Sequence, residues 1–98
     1  MTDVPQLVLY MKPGCHLCEQ ARAMLDDLFA ARAAAGLPVP PVEERDITTD
    51  DAWERAFFDK IPVVDLADRR EELVISPARL RRLLADVLDA PASGVAAR

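Results

Sequence analysis

The sequence lacks any apolar run long enough to cross a membrane, and its first apolar run, 7–11, is short. The first residues also lack the basic stretch and long apolar segment of a secretory signal. Basic residues are fewer than acidic ones: 12 basic and 17 acidic residues give a formal net charge of −5. Nucleic acids and anionic membrane surfaces repel such a chain. These absences predict a cytoplasmic protein that binds neither nucleic acid nor membrane.

Cysteine is scarce, since the chain has two, Cys15 and Cys18. A reducing cytoplasm keeps structural disulfides rare, so this pair predicts reactive or metal-binding thiols. Internal repeats and linkers are also missing. The 98 residues therefore predict a single domain over 1–90 with a frayed tail over 91–98. No exposed apolar stripe requires a dimer, which favours a monomer.

The hydrophobic pattern predicts seven elements in the order β-α-β-α-β-β-α. The predicted strands cover 6–10, 42–47, a segment that starts with 61–64, and 73–75. The predicted helices cover 16–35, a short stretch capped within 48–51, and 76–88. A strand, a long helix and a second strand predict a parallel pair, and a turn at 68–70 predicts a terminal hairpin. The order is that of the thioredoxin-like fold, an α/β fold with a four-stranded mixed sheet flanked by helices.

Local patterns refine this prediction. Three acids and one arginine in the second strand indicate an exposed edge. Helical spacing predicts burial of Trp53, Ala56 and Phe57 in the short helix. Ser76 and Pro77 are typical of a helix start, as cap and first helical residue.

Cys15 and Cys18 fall at the junction of the first strand and the first helix. The free N–H groups and partial positive charge of a helix N-terminus favour a thiolate at Cys15. Cys18 comes one helical turn later, within bonding reach behind it. The predicted chemistry is attack of Cys15 on a disulfide, a mixed disulfide, and resolution by Cys18.

Two neighbouring residues carry or can carry positive charge. His16, when protonated, would stabilise the Cys15 thiolate, and the alternative is an exposed spacer. Lys12 would act in the same way or hold an acidic group of a substrate, and the alternative is an ordinary surface lysine.

The segment Lys12-Pro13-Gly14-Cys15-His16-Leu17-Cys18 resembles the opening of glutaredoxins, in which a lysine and two residues precede Cys-x-x-Cys. Residues 42–47 resemble their second strand, and Ile61-Pro62-Val63-Val64 is similar to the segment with their cis-proline. The likeness covers about 6–88 and indicates the glutaredoxin-like branch of the thioredoxin superfamily.

This resemblance implies that Pro62 is cis and faces the Cys15 sulfur. It also implies that the backbone of Ile61 pairs with a bound substrate chain. Lys12 and Leu17, which stands where glutaredoxins carry tyrosine, complete the predicted substrate-binding residues. The glycine pair that meets glutathione in the family is replaced by Ile75-Ser76-Pro77, so the use of glutathione as co-substrate stays open.

The sequence therefore predicts a thiol–disulfide oxidoreductase that acts in electron transport and cell redox homeostasis. Its partners would be a disulfide of a protein or a low-molecular-weight thiol, and a reductase or thiol reductant, with no bound cofactor and no metal. One alternative is a metal or iron–sulfur module, which needs a dimer or an added thiol cofactor because a tetrahedral site takes four ligands. The other is an adaptor whose cysteines are inert.

Overall fold

The structure, a computed structural model, describes residues 4–89. The chain has four strands and three α-helices in the order β-α-β-α-β-β-α, and two short helical turns follow β2 and α3. The strands are β1 (Leu7–Met11), β2 (Val42–Asp46), β3 (Val63–Leu66) and β4 (Arg69–Glu71). The helices are α1 (His16–Ala34), α2 (Asp51–Phe57) and α3 (Pro77–Leu84), with a 3-10 turn at Ile47–Thr49 and a π turn at Ala85–Asp89.

The strands form one mixed sheet in the order β2-β1-β3-β4. β1 and β2 are parallel, with Leu9 opposite Glu44, while β3 runs antiparallel to both β1 and β4. The predicted element order, parallel pair, terminal hairpin and edge position of the second strand are confirmed. The outer strands are β2 and β4, and both consist mainly of charged residues.

Each face of the sheet buries its own core. Alternate residues of β1 point to opposite faces, so Leu7 and Leu9 join one core and Tyr10 joins the other. The first core packs α1 and α3 against the sheet, through buried residues that include Leu25, Leu80, Leu83 and Leu84. The second core packs α2 and the 3-10 turn against the other face, through Ile47, Phe57, Ile61 and Val63.

The predicted fourth strand was wrong. Residues 73–75 are not a strand, because the hairpin turns earlier, at Ala67 and Asp68, and pairs the charged residues that follow. Ala67 has a φ of 56° and Leu73 a φ of 51°. The left-handed conformation of Leu73 interrupts the extended backbone that a strand over 73–75 would need. Val74 is fully buried in the first core, whereas its neighbours are exposed. The apolar pattern there reflects one core residue rather than a strand.

Burial in the short helix differs in part from the prediction. Phe57 is buried and Trp53 is half-buried against the second core, but Ala56 is exposed. The seven-residue helix turns Ala56 away from the sheet. At the start of α3 the predicted cap is confirmed, since the Ser76 Oγ accepts the Arg79 N–H at 3.3 Å.

A buried arginine connects the end of α1 to the end of the described chain. The Arg32 Nε donates to the Pro38 carbonyl at 2.7 Å, and its Nη2 donates to Asp89 Oδ1 at 2.6 Å. The predicted frayed tail, 91–98, lies outside the described residues. Within residues 4–89, no helix combines the length and apolar character needed to cross a membrane.

Candidate active site

A tight loop carries the chain from β1 to the first cysteine. Gly14 has a φ of +78°, the left-handed region in which glycine is favoured. A Cβ added there would meet no atom within 4 Å, so only the backbone conformation requires glycine. The turn lets the Cys15 N–H donate to the Lys12 carbonyl at 3.2 Å, and this places Cys15 as the N-cap of α1.

The two cysteines face each other across the first turn of α1. The Cys18 N–H donates to the Cys15 Sγ at 3.2 Å, in the place where a capping side chain normally accepts such a bond. Cys15 is half-buried, whereas Cys18 is only 3 % exposed, and both thiols are free. One sulfur is therefore accessible, and the other lies behind it in the second core.

Burial makes Cys18 a weak acid. Desolvation is the largest cause and raises the pKa of the Cys18 thiol to about 12, with smaller increases from its contact with Cys15. A backbone hydrogen bond and the positive charge of Lys12 act in the opposite direction. Cys18 is consequently a neutral thiol around pH 7, while an exchange reaction needs a thiolate as the attacking species.

Pro62 immediately precedes β3, and the Ile61–Pro62 peptide bond is cis. The side chains of both residues are buried. Ile61 belongs to the core against which Cys15 and Cys18 pack. Its N–H already donates to the Phe57 carbonyl at 3.2 Å, so this donor is engaged before any substrate strand arrives.

The remaining predicted site residues lie around the cysteines on the surface. His16 and Leu17 are exposed in the first turn of α1, and His16 Nε2 lies 3.1 Å from the Gln20 side-chain amide. Lys12 is exposed on the loop. The structure thus brings Lys12 and Leu17 to the same helix end as the two cysteines, and directs the His16 ring along the outer side of α1.

A cleft of about 270 Å³ reaches Cys18 from the β2 side of the molecule. Leu9 and Cys18 line it, and Arg22 and Glu44 lie beside them, with the Arg22 Nε 3.5 Å from Glu44 Oε2. Sequence reasoning missed Arg22 and Glu44. The signal was the four-residue spacing of Cys18 and Arg22 on one helix face, combined with the parallel register that sets Glu44 opposite Leu9.

The described part of the chain contains no group of three histidine, cysteine or acidic side chains placed to hold a metal ion. Asp86 pairs with Arg69, and Asp89 pairs with Arg32. A metal site at Cys15 and Cys18 would need further ligands from another molecule.

Residues 6–88 match the family described as Glutaredoxin-like domain (DUF836). The match covers most of the chain, so the protein belongs to this glutaredoxin-like family. The predicted family membership is confirmed. No curated protein matches the sequence significantly.

Solved structures of other proteins are similar to this chain. A structural genomics target protein from X. campestris is 30% identical, with a TM-score of 0.64 over 80% of this chain and 93% of that one. A protein from Nitrosomonas europaea is 23% identical, with a TM-score of 0.61 over 93% and 94%. A malarial protein is 15% identical, with a TM-score of 0.63 over 88% and 99%. The fold is α/β and thioredoxin-like, as predicted.

Proposed function

We propose that the protein is a thiol–disulfide oxidoreductase in which Cys15 attacks a disulfide and Cys18 resolves the intermediate. The observation that carries the proposal is the N-cap position of Cys15, whose sulfur accepts the Cys18 N–H at 3.2 Å. A sulfur at a helix N-terminus meets free N–H groups and the positive end of the helix dipole, which favour negative charge. The glutaredoxin-like family supports a redox role in general.

The first step forms a mixed disulfide. The Cys15 thiolate attacks one sulfur of the substrate disulfide, the substrate S–S bond breaks, and the leaving thiolate takes a proton from water. The half-exposed position of Cys15 favours this role, because the attacked sulfur must approach in line with the nucleophile. Cys18, at 3 % exposure, is out of reach of such a substrate.

The second step releases the product. Cys18 loses its proton and attacks the Cys15 sulfur, and the second substrate thiolate leaves. The products are a Cys15–Cys18 disulfide and a substrate reduced by two electrons. Consumption of the Cys15 thiol in the first step removes two causes of the raised Cys18 pKa, its contact with Cys15 and the charge on that sulfur.

The substrate side of the proposal follows from the surface around Cys15. Exposed Leu17 and Lys12 offer an apolar and a cationic contact to a disulfide of a protein or of a low-molecular-weight thiol. Pro62 and Ile61 would border the substrate on the β3 side. A reductase or a thiol, with glutathione as one candidate, would regenerate the dithiol of a monomer in the cytoplasm.

The test is the reduction potential of the Cys15–Cys18 couple. The protein is equilibrated with glutathione and dithiothreitol buffers, and the thiols are then trapped and counted by mass spectrometry. We expect a reversible two-electron couple between about −270 and −120 mV, the span of related dithiols. Failure to form an intramolecular disulfide in any buffer would contradict the proposal.

The single-cysteine variants assign the two roles. Cys18→Ser should accumulate a mixed disulfide with glutathione on Cys15, because the resolving thiol is absent. Cys15→Ser should form none at the same glutathione concentration, because Cys18 is buried. The reverse pattern would exchange the roles of the two cysteines.

A further inference from the structure

The resolving step poses a chemical problem that the two cysteines do not solve. Cys18 must lose its proton to attack, yet it lies in an apolar core between Tyr10, Ile61 and Val63. A buried thiol in such surroundings needs a proton acceptor and a path to it. Leu9, which lines the same cleft from β1, cannot accept a proton.

The cleft on the β2 side offers such a path. Its volume of about 270 Å³ is far larger than the space that one water molecule needs, and Cys18 forms part of its wall. The sheet order puts this cleft on one side of β1 and Pro62 on the other, where β3 lies. A substrate bound along Pro62 would therefore leave the cleft open to water.

Glu44 is the carboxylate that the fold holds at this cleft. Its Cα lies opposite Leu9 in the parallel register, and its Oε2 is 3.5 Å from the Arg22 Nε. Arg22 is one helical turn beyond Cys18, so the ion pair places the carboxylate on the face of α1 to which Cys18 belongs. Glu19 is the other carboxylate that lines the cleft. Arg22 pairs with Glu44 through its Nε and with Asp26 Oδ1 through its Nη2, at 3.3 Å, and Asp26 is not among the lining residues.

Lys12 has a different effect from Glu44. It lines the cleft, and its positive charge favours the thiolate form of Cys18. An ammonium group is already protonated at neutral pH, so it cannot take the proton itself. A carboxylate at the same cleft can.

We propose that Glu44 accepts the Cys18 proton through water in the cleft during the resolving step, and that Arg22 is a positioning residue for the carboxylate. The inference rests on the proposed dithiol function. The proton passes from the Cys18 thiol through water to the Glu44 carboxylate. The Cys18 sulfur then bonds to the Cys15 sulfur, the Cys15–substrate bond breaks, and the substrate leaves as a thiolate. Glu44 afterwards returns the proton to solvent.

The experiment separates the two steps with dithiobis(nitrobenzoate), which releases one coloured thiolate in each. In stopped flow, the first phase reports attack by Cys15 and depends on reagent concentration. The second phase reports attack by Cys18 and does not depend on it. We expect Glu44→Gln to slow the second phase by about a hundredfold near pH 7 with the first phase unchanged, at the low end of general-base effects. Glu44→Asp should restore part of the rate.

The pH profile distinguishes proton transfer from a structural effect. The second-phase rate of the unmodified protein should change little with pH around neutrality, because the protein supplies the base. That of Glu44→Gln should rise with pH throughout, because hydroxide must then take the Cys18 proton. The unmodified protein and Glu44→Gln share every other titratable or charged group around Cys18, so these groups affect both pH profiles equally. The shared groups are Cys15, Glu19, Arg22, Lys12 and Tyr10.

Glu43→Gln is the matched control, because it removes the same charge from the adjacent residue of β2 on the opposite face of the sheet. It should leave both phases unchanged. An unchanged second phase in Glu44→Gln, or an equal slowing in Glu43→Gln, would overturn the role of Glu44 while leaving the dithiol function intact. Release of a single equivalent by the unmodified protein would overturn the dithiol function and this inference with it.

Discussion

Cys18 combines burial in the core with a place in the proposed exchange reaction. Its sulfur packs among apolar side chains, and desolvation raises the pKa of its thiol to about 12. Because the pKa of this thiol is higher in the folded state, the folded protein keeps the proton at pH values at which the unfolded chain releases it. The contribution to stability is therefore full below pH 9.0, the ordinary value, and is lost as the pH rises towards 12.

Cys18→Ala should remove this alkaline sensitivity. We expect the free energy of unfolding of the reduced protein to fall between pH 9 and 11 by up to about 1.4 kcal/mol per pH unit more than that of the variant. Urea unfolding at a series of pH values, with reductant present, measures both curves. Parallel curves would show that the folded state leaves the Cys18 pKa at its ordinary value.

Arg32 is a charged side chain placed in a buried position. Its guanidinium is shared between the Pro38 carbonyl and Asp89, and the residue is only 8 % exposed. Arg32→Ala leaves both acceptors without their donor. We expect a loss of about 2 kcal/mol in the free energy of unfolding, measured in urea. Arg82→Ala, an exposed arginine on α3, should change it by less than about 0.5 kcal/mol.

The site residues that the sequence predicted are recognised from local spacing, whereas those it missed can be placed only from the pairing of distant strands. Cys15 and Cys18 are recognised from spacing and from their place at a strand–helix junction. Glu44 is 26 positions beyond Cys18, and its relation to that residue depends on strand register. The sequence alone indicated only that the acids of β2 lie at an edge.

At the scale of single elements, α2 depends strongly on its cap. The helix has seven residues, and the Asp50 Oδ1 accepts the N–H groups of Ala52 and Trp53 at 2.9 and 3.1 Å. Such a short helix has little stability of its own. It nevertheless carries Phe57, which covers the core around Cys18.

Asp50→Ala should therefore destabilise the protein by about 1 kcal/mol, the usual cost of losing an N-cap. Denaturant unfolding measures the change. Asp51→Ala, which removes the neighbouring charge in the first turn without removing the cap, should cost less. An equal loss in the two variants would assign the effect to charge rather than to the cap hydrogen bonds.

Elements with a long repeating pattern were predicted best. The predicted end of α1 differs from the observed end by one residue, because Gly36 and Pro38 follow five turns of helical spacing. β4 was predicted in the wrong place, since a three-residue strand of Arg-Arg-Glu has no apolar pattern. Its position is set by the turn at Ala67 and by pairing with β3, and both are tertiary effects.

At the scale of the whole molecule, the two cores share one thin sheet. β1 contributes Leu9 to one core and Tyr10 to the other, so neither core can lose its packing without exposing the strand between them. This connection predicts a single cooperative unfolding transition for the described domain. Trp53 reports on the α2 side, while far-ultraviolet circular dichroism reports mainly on α1.

Leu25→Ala tests this coupling. The side chain is fully buried on the α1 side, so its truncation should cost about 2–5 kcal/mol. Trp53 fluorescence and circular dichroism should shift to lower urea concentration together, although Trp53 packs on the other face. Ala23→Ser is the control, because Ala23 is exposed on the same helix. It should shift the urea midpoint of either probe only slightly. Separate midpoints for the two probes would show that the α2 side unfolds independently.

The charged composition of β2 and β4 bears on how molecules behave at high concentration. The outer strands of a sheet present open backbone groups on which a strand of another molecule can grow. Pairing of two β2 edges would align Glu43, Glu44 and Asp46 with the same acids of a neighbour, and pairing of two β4 edges would align Arg69 and Arg70 in the same way. Repulsion between like charges placed side by side opposes fibril formation. Pairing of two like edges between molecules is therefore disfavoured, and more so at low salt than at high salt.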